Sequence, residues 1–218
     1  MKKNLLLCAV LCASLVLAAC SKPAANNSNA PANANANKAG GNTNGAPVAK
    51  KETKVPAEKA APVPTDWVKL TDSTKGYEFM VPAGTEGKQQ TENGVDVYMA
   101  SVPAPYELGV MVLAFKNENA SKDDLLKSAT ASLEALGEKD IKFEALTEIN
   151  GDYSVATFTS TGKDGKKGKG KVLVATDVTD NYIVLVGGDE AKFAGNEKTM
   201  DAIWGSFAMH SGGYTGES

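Results

Sequence analysis

Two stretches of this chain, residues 108–115 and 183–186, carry apolar side chains on both alternating sets of positions. A strand points successive side chains to opposite faces, so a strand loaded on both sets must be covered above and below. Leu108-Gly109-Val110-Met111-Val112-Leu113-Ala114-Phe115 and Ile183-Val184-Leu185-Val186 therefore predict two internal strands of a sheet with packing layers on both faces.

The elements around them fit one domain over residues 66–209. Tyr77, Phe79 and Val81 alternate before Pro82 and predict a strand, and residues 95–102 predict another, entered through Asn93-Gly94. Ser121 opens a helix, with Asp124 three residues on as a weak capping box. Leu125, Ala129, Leu133 and Leu136 form its buried stripe, and Gly137 is its expected stop. Strands are predicted over 141–149 and 152–160, joined at Asn150-Gly151, a strong hairpin signal. Two more, 171–177 and 182–187, are joined by Thr179-Asp180-Asn181. Phe193, Met200, Ile203, Trp204 and Phe207 then recur at helical spacing. Consecutive hairpins predict a mainly antiparallel α+β fold, with helices on both faces of the sheet. Trp204 belongs to that core, whereas Trp67 either caps the sheet or sits exposed. Residues 210–218 read as a flexible Gly-rich tail.

The N-terminus has a different character. Lys2 and Lys3 precede an apolar run from Leu5 to Leu17, and small residues then lead to a cysteine, which is the layout of a secretory signal peptide over residues 1–19. The run is shorter than the about 20 apolar residues of a retained membrane helix. Leu17-Ala18-Ala19-Cys20 also resembles the lipobox of bacterial lipoproteins. That resemblance implies cleavage between Ala19 and Cys20, lipidation of Cys20, and a site in the cell envelope: the periplasmic face of the outer or inner membrane, or the cell surface. Cleavage without lipidation would instead leave a lone thiol in an oxidising compartment. Each buried methylene of a lipid contributes about 0.8 kcal/mol, so two or more chains, including palmitate, hold a protein firmly. In enterobacterial lipoproteins a residue other than Asp after the cysteine, here Ser21, resembles the outer-membrane class.

Residues 20–65 are rich in Ala, Asn, Pro and Lys and hold no aromatic residue. Such a segment cannot bury enough apolar surface to offset its ordering entropy, and it reads as a disordered tether. With cleavage after Ala19, Cys8 and Cys12 leave, and neither a disulfide framework nor a thiolate metal cluster can form. No arginine occurs, and the net charge is −3 from 23 basic and 26 acidic residues. Residues 66–218 carry 15 basic and 24 acidic side chains, a balance of about −9. That balance, with export, excludes a nucleic-acid binder.

The Tyr77-Glu78-Phe79-Met80-Val81-Pro82 strand, an aromatic near the domain start and a closing helix ending in Ser206-Phe207 resemble PsbP/DcrB-like α/β/α sandwich domains. The resemblance covers residues 66–209. It implies a module that binds proteins or stabilises assemblies, without catalysis or cofactor. Fold alone does not give function.

Chemical motifs are few. Gly165-Lys166-Lys167-Gly168-Lys169-Gly170-Lys171-Val172 approaches a phosphate-binding loop, but Val172 stands where Ser or Thr must hold Mg²⁺, and the run lies between strands. Lys163, Lys166, Lys167, Lys169 and Lys171 instead form a candidate contact loop for an anionic envelope polymer or an acidic protein, against the plainer reading of a charged, soluble hairpin tip. Asp177, Asp180 and Asp189 lack the calcium-loop pattern and read as turn and cap residues, so no metal site is expected. His210, the one histidine, reads as a cation at a helix C-terminus. The expectation is a lipid-anchored, non-enzymatic binding or assembly module. A small-ligand carrier would need an apolar cavity. An unrecognised hydrolase would need carboxylates such as Glu78, Asp96 and Glu107 to converge.

Overall fold

The structure is a computed structural model that describes residues 52–92 and 94–210. Along these residues run β1 (Glu52–Lys54), β2 (Val68–Asp72), β3 (Tyr77–Val81), β4 (Glu86–Glu92), β5 (Val95–Val102) and β6 (Leu108–Lys116). Helix α1 (Lys122–Leu136) follows, then β7 (Lys139–Phe143), β8 (Thr147–Glu148), β9 (Tyr153–Thr161), β10 (Lys167–Thr176) and β11 (Asp180–Asp189). A 3-10 turn at Glu190–Lys192 enters helix α2 (Phe193–Gly205), and β12 (Ala208–His210) comes last. One sheet has the order β4-β5-β6-β11-β10-β9-β7, with β8 on β9, and a smaller one the order β1-β12-β3-β2. Every pairing among the described strands is antiparallel.

The two doubly apolar strands pair with each other, Val112 opposite Val184 and Leu113 opposite Ile183. Their side chains divide by parity. Val110, Val112, Ala114, Tyr182, Val184 and Val186 join Met200, Ile203 and Trp204 of α2 in one buried cluster. Met111, Leu113, Ile183 and Leu185 join Leu125, Ala129 and Leu133 of α1 in another. The period of two thus sends alternate residues of the same strands into different buried clusters.

α1 begins where the sequence places it. The Ser121 hydroxyl accepts from the Asp124 amide, the Asp124 carboxylate accepts from the Ser121 amide, and Gly137 ends the helix in the left-handed region at φ 91°. Hydrogen bonds from Lys127 and Ser121 hold the Asp124 carboxyl down to about 2. The smaller sheet packs through an aromatic group, Tyr77, Phe79, Phe207 and Tyr182, with ring centroids 5.6 to 6.4 Å apart. Its β2–β3 turn is also held to the large sheet by charge. Lys75 Nζ lies 3.3 Å from Asp96 Oδ2 and 3.5 Å from Asp180 Oδ1. The Lys75 carbonyl accepts from the Tyr182 hydroxyl at 2.6 Å.

Several expectations are corrected. The span read as one strand over 141–149 is two short pieces, β7 and β8, separated by residues 144–146, and β7 itself carries a register irregularity on β9 between Lys139 and Lys142. Asp140 there has φ 51°. β2 and β4 give little periodic signal: β4 is polar and forms a sheet edge, with residues 86–91 exposed to water. Strand pairing and packing also reach residues before 66. β1 pairs with β12, and the Tyr153 hydroxyl donates to the Thr53 carbonyl at 2.6 Å. Val55 is buried, and Ala60, Ala61 and Val63 pack on the same core. A Cβ on Gly205 would lie 2.6 Å from the Ala60 Cβ, so glycine is what lets this segment cross the end of α2. The partners, and not its own composition, order this segment. Trp67 is buried in the same core cluster as Trp204, and His210 lies in a strand, outside any helix end or loose tail.

Ile183, fully buried between β6 and β10, should lose about 3 kcal/mol of stability on Ile183→Ala. Val178→Ala, at a position 89 % exposed, should change it by less than about 0.5 kcal/mol. Urea unfolding of both variants measures the difference.

Candidate functional site

The β9–β10 hairpin carries the lysine loop, and its local structure explains the glycines. The turn closes through Gly162 N–H to the Lys166 carbonyl at 2.8 Å and Gly165 N–H to the Gly162 carbonyl at 2.9 Å. Gly165 takes φ 78°. Gly168 and Gly170 lie inside β10, and a Cβ on Gly170 would stand 2.4 Å from the Val186 carbonyl oxygen and 2.7 Å from the Phe158 ring. The Gly-Lys repeat is therefore a strand packed closely against its neighbours. Its amides are committed to the ladder and cannot cradle phosphate.

The five lysines do not form one patch. Lys171 reaches α2, its Nζ 2.9 Å from Glu197 Oε1 and 3.1 Å from Asp201 Oδ1, and its side chain is 15 % exposed. Burial works against this ammonium, but the hydrogen bonds to Glu197 and Asp201 outweigh it and raise its pKa. Lys169 Nζ stands 4.4 Å from the centre of the Phe193 ring, a cation–π contact. Lys163 crosses the Gly137 cap of α1, a helix with no basic residue in its last turn. Lys166 pairs with Asp164 at 2.8 Å, and Lys167 donates to the Thr161 hydroxyl at 2.7 Å.

Lys167 also lines a hollow of about 450 Å³ with Asp140, Lys142, Ser160, Thr161 and Glu190. Two ammonium groups, two carboxylates and adjoining hydroxyls give it a balanced polar lining. The irregular register of β7 places Asp140 and Lys142 there, which no sequence motif signals.

The three acidic candidates near strand ends have structural work. Asp177 Oδ1 accepts from the Thr179 and Asp180 amides at 2.6 and 2.7 Å. Asp189 caps the 3-10 turn through the Ala191 amide at 2.9 Å, and Asp180 faces Lys75. Ala19 and Cys20, the cleavage and lipidation candidates, lie outside the described residues, as does the leader. Among the described residues no helix is long and apolar enough to cross a membrane.

The sequence matches no protein-family model and no curated protein. Solved structures do match. Cyanobacterial PsbP (CyanoP) from Synechocystis is 16 % identical over 66 % of this chain and 93 % of its own, with a TM-score of 0.52. The fold is PsbP-like. The Ran-binding protein Mog1p of Saccharomyces cerevisiae is 11 % identical, over 65 % of this chain and 94 % of its own, with a TM-score of 0.47. LpqN of Mycobacterium tuberculosis, involved in cell envelope biogenesis, is 14 % identical over 74 % and 92 %, with a TM-score of 0.34.

Within this PsbP-like domain the carboxylates named as hydrolase candidates do not converge. Glu78 pairs with Lys69 at 2.9 Å and faces His210 at 3.6 Å. Asp96 takes Lys75 and the Thr91 hydroxyl, and Glu107 takes Lys192. The sheet–helix layers are filled by side chains such as Leu125, Ala129, Met200 and Ile203, each at most 1 % exposed.

Removing the half-buried ammonium in Lys171→Met should destabilise the domain by about 1–2 kcal/mol, because it leaves Glu197 and Asp201 facing each other. The folded pKa is raised, so the contribution is complete below the ordinary value of 10.5 and is lost as pH rises through the folded one. Urea unfolding at pH 8 and pH 11 should show the gap between wild type and variant narrowing at the higher pH.

Proposed function

We propose that this chain is an envelope lipoprotein: cleaved after Ala19, acylated on Cys20, and carrying an α/β/α sandwich that serves as a non-enzymatic binding or assembly module. The observation that carries the reading is Leu17-Ala18-Ala19-Cys20 at the end of a short apolar run led by Lys2 and Lys3. With β1 beginning at Glu52, the spacer comprises residues 21–51. A flexible chain of that length has an end-to-end distance of roughly 30 Å. The domain is thereby confined close to one bilayer, which raises its effective concentration toward anything held in the same envelope layer. A weak contact surface is enough under those conditions.

The contact face we assign is the tip of the β9–β10 hairpin, which carries Lys163 and Lys166, together with the adjoining polar hollow that Lys167 lines. Its partner is a protein or an anionic envelope polymer. Support for a non-catalytic role comes from the separate ion pairs that occupy Glu78, Asp96 and Glu107, and from the fold shared with PsbP.

Radiolabelled palmitate should enter the wild-type protein and not Cys20→Ala, and the variant should leave the membrane fraction in plain buffer. Equal labelling of both would refute the anchor. Crosslinking from an introduced Lys166→Cys should capture a partner whose yield falls steeply with salt. A yield indifferent to salt would contradict the charged contact face.

A further inference from the structure

We propose that Glu52, Glu78 and His210 form a binding site for a divalent transition-metal cation, zinc being the simplest occupant. One ligand atom of each, two carboxylate oxygens and an imidazole nitrogen, lies within 4.8 Å of the others. The site is written into strand register. Glu52 stands directly opposite His210 in the β1–β12 pair, and Glu78 stands opposite Ala208 in the β12–β3 pair. Ala208 and His210 are two residues apart and share a face, so all three side chains project from the same face of the small sheet.

The geometry suits a small cation. His210 Nε2 and Glu78 Oε2 are 3.6 Å apart. Two ligands at zinc distances of 2.0–2.1 Å, at a tetrahedral angle, are separated by about 3.4 Å. The Lys69 ammonium holds the other oxygen of Glu78, Oε1, at 2.9 Å, which turns Oε2 toward the imidazole. A group that orients a ligand in this way is a recurring feature of metal sites. Backbone position is fixed as well: the His210 amide donates to the Gly76 carbonyl at 2.7 Å.

Imidazole with carboxylates favours zinc, copper or nickel over magnesium and calcium, which prefer all-oxygen sites. Lys54, paired with Glu52, and Lys69 both repel a cation, so the affinity is moderate. Glu52 is exposed and leaves a coordination position open to water or to a partner's ligand.

Occupancy has a mechanical consequence. Glu52 is the first residue of β1, the edge strand that joins the preceding chain to the domain, and β12 lies between it and β3. A cation bridging β1, β12 and β3 would fasten that edge strand and shift local opening toward the closed state.

The test uses the full chain in detergent with Cys8, Cys12 and Cys20 blocked by iodoacetamide, titrated calorimetrically with zinc chloride. One equivalent should bind, with affinity about tenfold or more weaker in His210→Ala and in Glu52→Gln. Glu52 is exposed, so Glu52→Gln should keep its fold even where His210→Ala does not. Zinc should also slow amide hydrogen exchange in residues 52–54 of the wild type and not of Glu52→Gln. Absence of stoichiometric zinc binding would overturn the proposal. So would unchanged affinity in Glu52→Gln, or magnesium binding as tightly as zinc.

Discussion

The pairing of β6 with β11 is the constraint from which the rest of this structure follows. Both strands are buried on both faces, so neither can lie at an edge, and each face needs its own covering layer. Val112, Val184 and Ile183 are fully buried, which a strand achieves only when its neighbours are already in place. The remaining strands extend the sheet outward from this pair to the polar edges β4 and β7. Edges of that kind resist further strand addition.

The smaller sheet is attached to this frame by two devices of different kinds. One is the aromatic group around Phe207, which fills the space between β3 and β11. The other is polar: Lys75 lies between Asp96 and Asp180, and Asp72 accepts from the Thr74 and Lys75 amides and from Gln89 Nε2. Because these charges are paired and hydrogen-bonded, their burial fixes the orientation of the β2–β3 turn and leaves no isolated charge.

The parts legible in the sequence are those where local chemistry and global packing demand the same thing. β3, β5, β6 and α1 show their apolar period, and Ser121 and Gly137 announce both ends of α1. β1 and β12 were not legible, since three residues such as Glu52-Thr53-Lys54 acquire strand structure only from partners a hundred or more residues away. The same reason hid the grouping of Glu52, Glu78 and His210. Each belongs to a different strand, and only the register brings them to one face. The lysine run shows the opposite failure. It is conspicuous in the sequence, yet Lys169 and Lys171 lie further along β10, where they reach α2, away from the hairpin tip.

Function in this account divides between two ends of the chain. On the function proposed above, the domain would supply the contact surface, and the leader with its cysteine would determine where that surface acts. Intact-mass and peptide mass spectrometry of the protein extracted from membranes tests this division most directly. The account predicts a mature N-terminal peptide that begins at Cys20 and carries the added mass of a diacylglyceryl group and an amide-linked fatty acid, or of the diacylglyceryl group alone. An unmodified N-terminal peptide, or one that begins at any other residue, would contradict it.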